Sequence, residues 1–229
     1  MFAIDRRMAV LIMLGWMLIA FGCTSQEEKM QTFFDKGEAA LEAGDTVNAR
    51  LAFKNVIQID PKRADAYYML GRVEMAEKNF KQAYANFSRA VDLDPEHLAG
   101  QVELARIFLA ARADDRAREK VDLVLQKDPR NRGARQVQAA LALKGKDTAA
   151  AKDILDRLHD EGDTSPEIYL MLASIYNRQE DAANLEAMLT EGIDKNPDNV
   201  NLRLILANYY GQTGQTDQAE SVLREAVAM

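Results

Sequence analysis

Two histidines and two acidic pairs are the residues of this sequence whose side chains suggest acid–base chemistry or metal binding. His97 and His159 are far apart in the chain, and the pairs 114–115 and 160–161 lack the spacing of a calcium-binding loop. The sequence has no HExxH zinc motif, no GxSxG nucleophile motif and no glycine-rich phosphate loop. We therefore predict no enzymatic role, no cofactor and no metal site.

Structural interpretations account for these residues instead. His97 stands just before a predicted helix, where Asn131 and Asn199 stand before others as predicted N-caps. His159 lies near a predicted helix end, where the helix dipole favours a cation. The acidic pairs are interpreted as parts of turns.

Cys23 is the only cysteine, so an intrachain disulfide and a cysteine metal cluster are excluded. It follows Arg6, Arg7 and the uncharged apolar run 8–22. That run has the length of a signal-peptide core and is shorter than the roughly 20 residues of a membrane-spanning helix. The run therefore predicts an export signal.

The sequence Ala20-Phe21-Gly22-Cys23-Thr24-Ser25 resembles the processing site of bacterial lipoproteins, although Ala20 and Phe21 depart from its usual residues. The resemblance implies a signal peptide at 1–22, lipidation of Cys23 and a lipid-anchored linker at 23–29. An uncleaved signal anchor is the alternative. Thr24 after the cysteine resembles outer-membrane sorting, which implies the periplasmic face of a bacterial membrane, the outer membrane in a two-membrane bacterium.

A repeated unit of fixed length recurs along the rest of the chain and is clearest at positions 64–97. Its marker residues are Tyr67, Leu70, Gly71, Ala83, Phe87 and Pro95. They match the tetratricopeptide pattern of an aromatic, Leu-Gly, Ala, an aromatic and Pro, whereas Glu74 stands where that pattern has Tyr. The small residues Gly71 and Ala83 allow two helices to cross closely, and the apolar residues at helical spacing require a neighbouring unit to cover them.

Prolines set the phase of the repeats. Pro61, Pro95 and Pro129 are evenly spaced, one unit apart, and Pro197 follows two units later. The predicted repeats are 30–63, 64–97, 98–131, 132–165, 166–199 and 200–229. The family resemblance then implies an all-α fold, a right-handed superhelical solenoid of about six helix-turn-helix repeats. Because no polar closing helix follows the last repeat, we expect a longer array or a partner that covers its apolar face.

Composition limits the partners of such an array. The formal net charge is -7 and the sequence pI is about 5.0, which argues against nucleic acid, because phosphate recognition depends on lysine and arginine. The 48% of hydrophobic residues is ordinary for a folded protein and does not indicate disorder. Protein partners are therefore favoured.

In the family the first helix of each repeat lines a concave binding surface, and the resemblance implies the same surface here. The residues carried over are Phe34, Glu38, Tyr68, Met69, Arg72, Val102, Arg106, Gln136, Leu170, Met171, Ser174, Arg178, Leu204 and Asn208. Apolar side chains together with Arg72, Arg106 and Arg178 suit an extended or helical peptide. Phe34 and Glu38 replace the Lys and Asn of the family's chaperone-binding clamp, so a chaperone adaptor is not expected.

The chain resembles the tetratricopeptide lipoproteins that accompany bacterial exosortase and exopolysaccharide systems. The resemblance lies in the lipoprotein-like start, the long array and short segments such as 94–97 and 117–120. This resemblance implies a membrane-anchored periplasmic scaffold for protein–protein interactions in envelope assembly, exopolysaccharide export or secretion. One alternative is a pilotin lipoprotein of a type IV pilus or secretin. A glycan-binding solenoid is another, against which the scarcity of exposed aromatic residues argues. The oligomeric state is left open.

Overall fold

The computed structural model describes residues 26–227, and every regular element in that range is a helix. The helices are α1 (26–42), α2 (Thr46–Ile59), α3 (Ala64–Ala76), α4 (Phe80–Leu93), α5 (Leu98–Ala110), α6 (Asp114–Lys127), α7 (Arg132–Lys144), α8 (Thr148–Asp160), α9 (Pro166–Arg178), α10 (Ala182–Lys195), α11 (Val200–Gln212) and α12 (Thr216–Val227). The all-helical fold is confirmed for these residues. The predicted signal peptide 1–22 and Cys23 lie outside the described residues.

Residues 26–29 were predicted to belong to a linker, but they are helical and belong to α1. The sequence Gln-Glu-Glu-Lys explains the difference, because all four residues are good helix formers. Two glutamates near a helix N-terminus also interact favourably with its dipole.

Helix boundaries follow from capping side chains and prolines. Asp45, Asn131 and Asn199 each accept a hydrogen bond from the backbone N–H three residues further on, at 3.0 to 3.1 Å. At the opposite ends, Asp60 and Asp94 have extended backbone angles because each precedes a proline. As a result α3, α5, α7, α9 and α11 begin at residues 64, 98, 132, 166 and 200.

The turn inside each helix pair contains one residue with a left-handed backbone conformation. These residues are Gly44, Lys78, Arg112, Lys146, Glu180 and Gly214, with φ between 56° and 79°. They occupy the same position of each repeat, and the N–H of each following residue donates to the carbonyl five residues earlier at 2.8 to 3.0 Å. The same backbone turn therefore forms six times, although only two of the six residues are glycine.

In the first two repeats, the two helices cross where a glycine faces a phenylalanine. A Cβ added to Gly37 would lie 2.6 Å from Cε1 of Phe53, and one added to Gly71 would overlap the ring of Phe87. Both rings are fully buried. The close crossing predicted at Gly71 is confirmed.

Glu74, which departs from the family pattern, is buried and bridges to the preceding repeat. Arg50 of α2 places Nε 3.1 Å from Oε1 of Glu74 and Nη2 2.5 Å from Oε2 of Glu77. Asn79 donates to the second oxygen of Glu74 at 3.0 Å. A charged link between α2 and α3 thus occupies the place of the aromatic residue in the pattern.

The chain forms two compact units whose boundary falls within α5, so that the described residues divide into 26–104 and 105–227. The core of the first unit contains Phe53, Leu70 and Val73. The core of the second includes a large cluster whose members lie between Ala139 and Ala219. Among residues 26–227, no helix combines the length and the apolarity that crossing a bilayer requires.

Candidate functional site

In the first unit, the predicted surface residues divide into buried and accessible ones. Met69 and Val102 are only 4% and 6% exposed, so they pack in the core and present no open side chain. Tyr68 is half-buried, with its ring 5.7 Å from that of Phe87. Arg72 is exposed and approaches the sulfur of Met69 at 3.7 Å. Tyr68 and Arg72 are therefore the residues of the predicted set from α3 that a ligand can reach, and in α1 Phe34 is half-buried and Glu38 exposed.

In the second unit, the first helices of three successive repeats line an open pocket of about 400 Å³. Its lining comes from α5, α7 and α9 and consists of Arg106, Leu109, Ala110, Gln136, Val137, Ala140, Glu167, Leu170 and Met171. Four of these nine residues belong to the predicted set. Most of the others are aliphatic, so the pocket is an apolar depression with polar groups at its margin.

A hydrogen-bond chain fixes the polar margin of this pocket. Arg106 donates from Nη2 to Oε1 of Gln136 at 2.7 Å. Gln136 donates in turn from Nε2 to Oδ2 of Asp163 and to Oγ of Ser165, both at 2.8 Å. Because Gln136 and Asp163 are buried, the chain holds the guanidinium of Arg106 in one orientation from below the surface.

Asp163, at the inner end of this hydrogen-bond chain, is only 5% exposed. Burial opposes ionisation of its carboxyl group, but hydrogen bonds from the hydroxyl and the backbone N–H of Ser165 and from Gln136 outweigh burial and lower its pKa. Asp163 therefore remains an acceptor at neutral pH. Ser165, the residue before α9, makes no side-chain capping bond to that helix, and its hydroxyl accepts a hydrogen bond from Gln136 instead.

A second depression of about 250 Å³ lies between α9, α10 and α11. It is lined by Leu170, Ala173, Ser174, Asn177, Leu185, Ile205, Asn208, Tyr209 and Gln212. Leu170 lines both depressions, and Ser174 and Asn208 are also members of the predicted set. Arg178 and Leu204 are exposed outside both linings.

Residues 24–169 match the family model described as the TPR domain of cytochrome c-type biogenesis protein H, where TPR denotes the tetratricopeptide repeat. The match covers more than half of the chain. The chain belongs to this tetratricopeptide repeat family. Residues 200–229 also match the model of a single tetratricopeptide repeat, and no curated protein matches the chain.

Solved tetratricopeptide structures resemble the chain over most of its length. PilF of Pseudomonas aeruginosa superposes with a TM-score of 0.66 at 18% identity, covering 86% of this chain and 90% of that one. PilW, described as a widely conserved type IV pilus biogenesis factor, gives 0.67 at 13% identity, with coverages of 89% and 93%. The Cut9–Hcn1 complex gives 0.77 at 17% identity, covering 88% of this chain and 40% of that one. At these identities the likeness shows the fold.

The tetratricopeptide framework explains which site residues the sequence could indicate. Arg106, Gln136, Leu170 and Met171 occupy repeated positions on first helices, and their place was therefore predictable. Leu109 and Val137 lie three residues after Arg106 and one after Gln136, so only the helical pitch points to them. Asp163 lies in the turn before α9, and no repeated position signals its contact with Gln136.

Both histidines of the tetratricopeptide array have structural contacts. His97 accepts the backbone N–H of Gly100 at Nδ1, at 3.0 Å, and so caps α5. Its Nε2 lies 3.3 Å from Oδ1 of Asp65. Within the described range no three His, Cys, Asp or Glu side chains are grouped to hold a metal ion.

His159 and Tyr169 meet at one carboxylate of the second unit. Nε2 of His159 lies 3.0 Å from Oε1 of Glu191, to which the hydroxyl of Tyr169 also donates at 3.1 Å. Burial and the Glu191 charge raise the pKa of Tyr169 to about 12. The phenol therefore stays protonated, and the three side chains tie α8, α9 and α10 together.

Proposed function

We propose that the chain is a non-enzymatic scaffold of a bacterial membrane, which binds a polypeptide segment at the pocket between α5, α7 and α9. The observation that supports this proposal is the lining of the pocket. The first helices of three successive repeats supply all of it, with aliphatic walls and a guanidinium fixed at the edge. Repeat solenoids use such concave surfaces for extended contacts with partners. An apolar side chain of the partner enters the pocket, and Arg106 faces a carboxylate or backbone carbonyl beside it.

The membrane part of this proposal is supported by the sequence of residues 1–25, in which Cys23 ends an export-like segment. A lipid anchor at Cys23 places the array on the periplasmic face of the membrane, the outer membrane where the bacterium has two. The scaffold then serves envelope assembly, exopolysaccharide export or secretion, in keeping with the resemblance to exosortase-associated lipoproteins.

A second candidate is pilus or secretin assembly, and the observation that favours it is the structural likeness to PilW. The superposition covers 89% of this chain and 93% of PilW. Loss of surface pili and of assembled secretin after deletion of the gene supports this candidate. Normal pili combined with lost exopolysaccharide support the first.

Two alanine-to-glutamate variants in the same repeat test the pocket. Ala140 on α7 lines it, whereas Ala149 is exposed in the first turn of α8. Ala140→Glu puts a charge among the aliphatic walls and is expected to reduce partner recovery at least about tenfold, because an unpaired buried charge is strongly unfavourable. Ala149→Glu adds the same charge where a helix N-terminus favours it, and recovery should not change.

Partners are captured by a photoreactive phenylalanine at position 171 in membranes that contain the full chain, and they are quantified by mass spectrometry. Melting curves of both variants exclude unfolding as the cause. An identical set of crosslinked proteins in the native chain and in Ala140→Glu would remove the pocket from the proposed function.

A further inference from the structure

The first repeat exposes two aliphatic side chains that the fold does not require. Val47 and Leu51 lie one turn apart on α2 and are 70% and 59% exposed. In the other five repeats, the equivalent positions hold only alanine, polar or charged residues. These are Lys81 and Ala85, Asp115 and Glu119, Ala149 and Asp153, Ala183 and Ala187, and Asp217 and Ser221. The apolar pair is therefore a property of the first repeat and not of the repeat pattern.

These side chains lie by the face that an internal repeat packs against the repeat before it. In the second repeat, Leu70 on this side of α3 is buried and packs with Phe53 of α2. The position equivalent to Leu70 in the first repeat is Lys36, which is exposed. With Leu51, it belongs to a shallow pocket of about 250 Å³ on the open face, lined by Phe33, Lys36, Asn48, Leu51, Ala52 and Asn55. No described repeat precedes this face.

The charged side chains of α2 and of the pocket lining are positive, whereas the five carboxylates of α1 lie outside that lining. Helix α2 contains Arg50 and Lys54 and no acidic residue, whereas α12 contains three acidic residues and one arginine. Arg50 is engaged by Glu74 and Glu77, which leaves Lys36 and Lys54 as the exposed cations of α1 and α2 beside the aliphatic pair. The lining of the pocket includes no carboxylate.

We propose that this open face, comprising Phe33, Lys36, Val47, Leu51 and Lys54, contacts the surface of an anionic phospholipid bilayer. Aliphatic side chains enter the boundary of headgroups and acyl chains, and lysines pair with phosphates. A second copy of the chain fits less well, because a two-fold contact through this small face brings Lys36 and Lys54 against the same residues of the copy.

The position of this face, close in the sequence to Cys23, supports a contact with lipid. Helix α1 is described from residue 26, three positions after Cys23, which is a span of at most about 11 Å. Before Cys23 comes the apolar run 8–22. Whether a lipid or that run holds the chain, the first repeat lies next to the bilayer; this step rests on the membrane attachment proposed above.

The test introduces p-benzoylphenylalanine at position 51 of the full chain in bacterial cells whose phospholipids are labelled with ³²P. After irradiation, label attached covalently to the chain should exceed at least about tenfold that obtained with the same photoreactive residue at position 223. Leu223 is the matched control, because it is an aliphatic residue of a second helix, α12, and is 43% exposed. The double variant Lys36→Glu/Lys54→Glu should lower the labelling from position 51 at least about fivefold.

Labelled palmitate and membrane fractionation, with Cys23→Ser as the reference, measure the anchor in the same cells. A palmitate-labelled chain in the membrane fraction that forms only protein crosslinks from position 51, whether to a second copy or to another protein, overturns the lipid contact and leaves the anchor intact. A soluble chain without palmitate overturns the anchor. The purified full chain is then irradiated with vesicles of phosphatidylglycerol and phosphatidylethanolamine, where a lipid crosslink from position 51 supports the face and its absence overturns it.

Discussion

At the scale of single residues, the glycines at the helix crossings of the first two repeats leave no space for a side chain. Gly71 lies in a helix, where alanine is favoured by about 1 kcal/mol, but a methyl group here overlaps the fully buried ring of Phe87. The ring has no free space to enter, since the interior of a protein is close-packed. Packing therefore decides against the residue that helix propensity favours.

We expect Gly71→Ala to lower the free energy of unfolding by about 1 to 3 kcal/mol, the usual cost of an overpacked core. Gly145→Ala is the matched control, because its added Cβ would approach no atom closer than 3.4 Å and its φ is -74°. Urea unfolding of both full-length variants, followed by circular dichroism, measures the difference. Equal midpoints for the two variants would contradict the close crossing.

Residue by residue, the sequence predicted positions better than it predicted exposure. The carry-over from the repeat pattern placed Gln136 and Met171 at a pocket, but it also selected Met69 and Val102, which are buried. A repeated position fixes the direction of a side chain from its helix. Its accessibility depends on the size of residues in the next repeat, which no local pattern encodes.

At the scale of helices, the contact between α2 and α3 is an ion cluster that the sequence signalled only as a departure from the family pattern. Glu74 could be recognised as unusual, but its partner Arg50 is 24 residues earlier and is identified only by the fold. By contrast, prolines and capping residues act within a few positions, which is why the helix starts could be predicted.

This cluster should make the stability of the first unit depend on pH. The hydrogen bond from Arg50, followed by that from Thr46, lowers the pKa of Glu77 below its ordinary value of 4.5. A lowered pKa in the folded state contributes stability above the pKa of the unfolded chain, and this contribution is lost as the pH falls through the folded value. We expect the urea midpoint to fall below about pH 4.5, and to fall less in Glu77→Gln.

Glu38→Gln is the control for this experiment, since it removes another carboxylate of the first unit, an exposed one in the middle of α1, away from both helix ends. Its midpoint should follow that of the native chain over the whole pH range. If Glu77→Gln gives the same acid profile as the native chain, Arg50 does not stabilise the ionised form of Glu77.

At the scale of the whole molecule, the chain divides within α5 into two compact units, and each has its own core. In a repeat array each repeat contacts only its neighbours, so damage remains local. The regular spacing of the repeats predicted the array as a whole, but nothing in that spacing indicated the division into two units. The division arises from tertiary contacts, which differ between repeats that share one sequence pattern.

We expect Phe87→Ala, which empties a fully buried site, to destabilise its surroundings by about 3 to 5 kcal/mol. Hydrogen exchange read by mass spectrometry should show faster exchange in α2, α3 and α4, whereas protection in 166–227 stays as in the native chain. Leu155→Ala, in the core of the second unit, should give the reverse pattern. Uniform acceleration over both units in either variant would mean that the chain opens as a single cooperative body.

The six left-handed turns leave this protein room for improvement by design. Lys78, Arg112, Lys146 and Glu180 hold a backbone conformation that disfavours side chains by about 1 to 2 kcal/mol each, whereas glycine at Gly44 and Gly214 adopts it without that cost. The four sites lie in successive repeats, well separated along the array, so replacements there should combine additively. Glycine at these four turn positions should therefore give a more stable variant in which the pocket and the lysine-flanked face are unchanged.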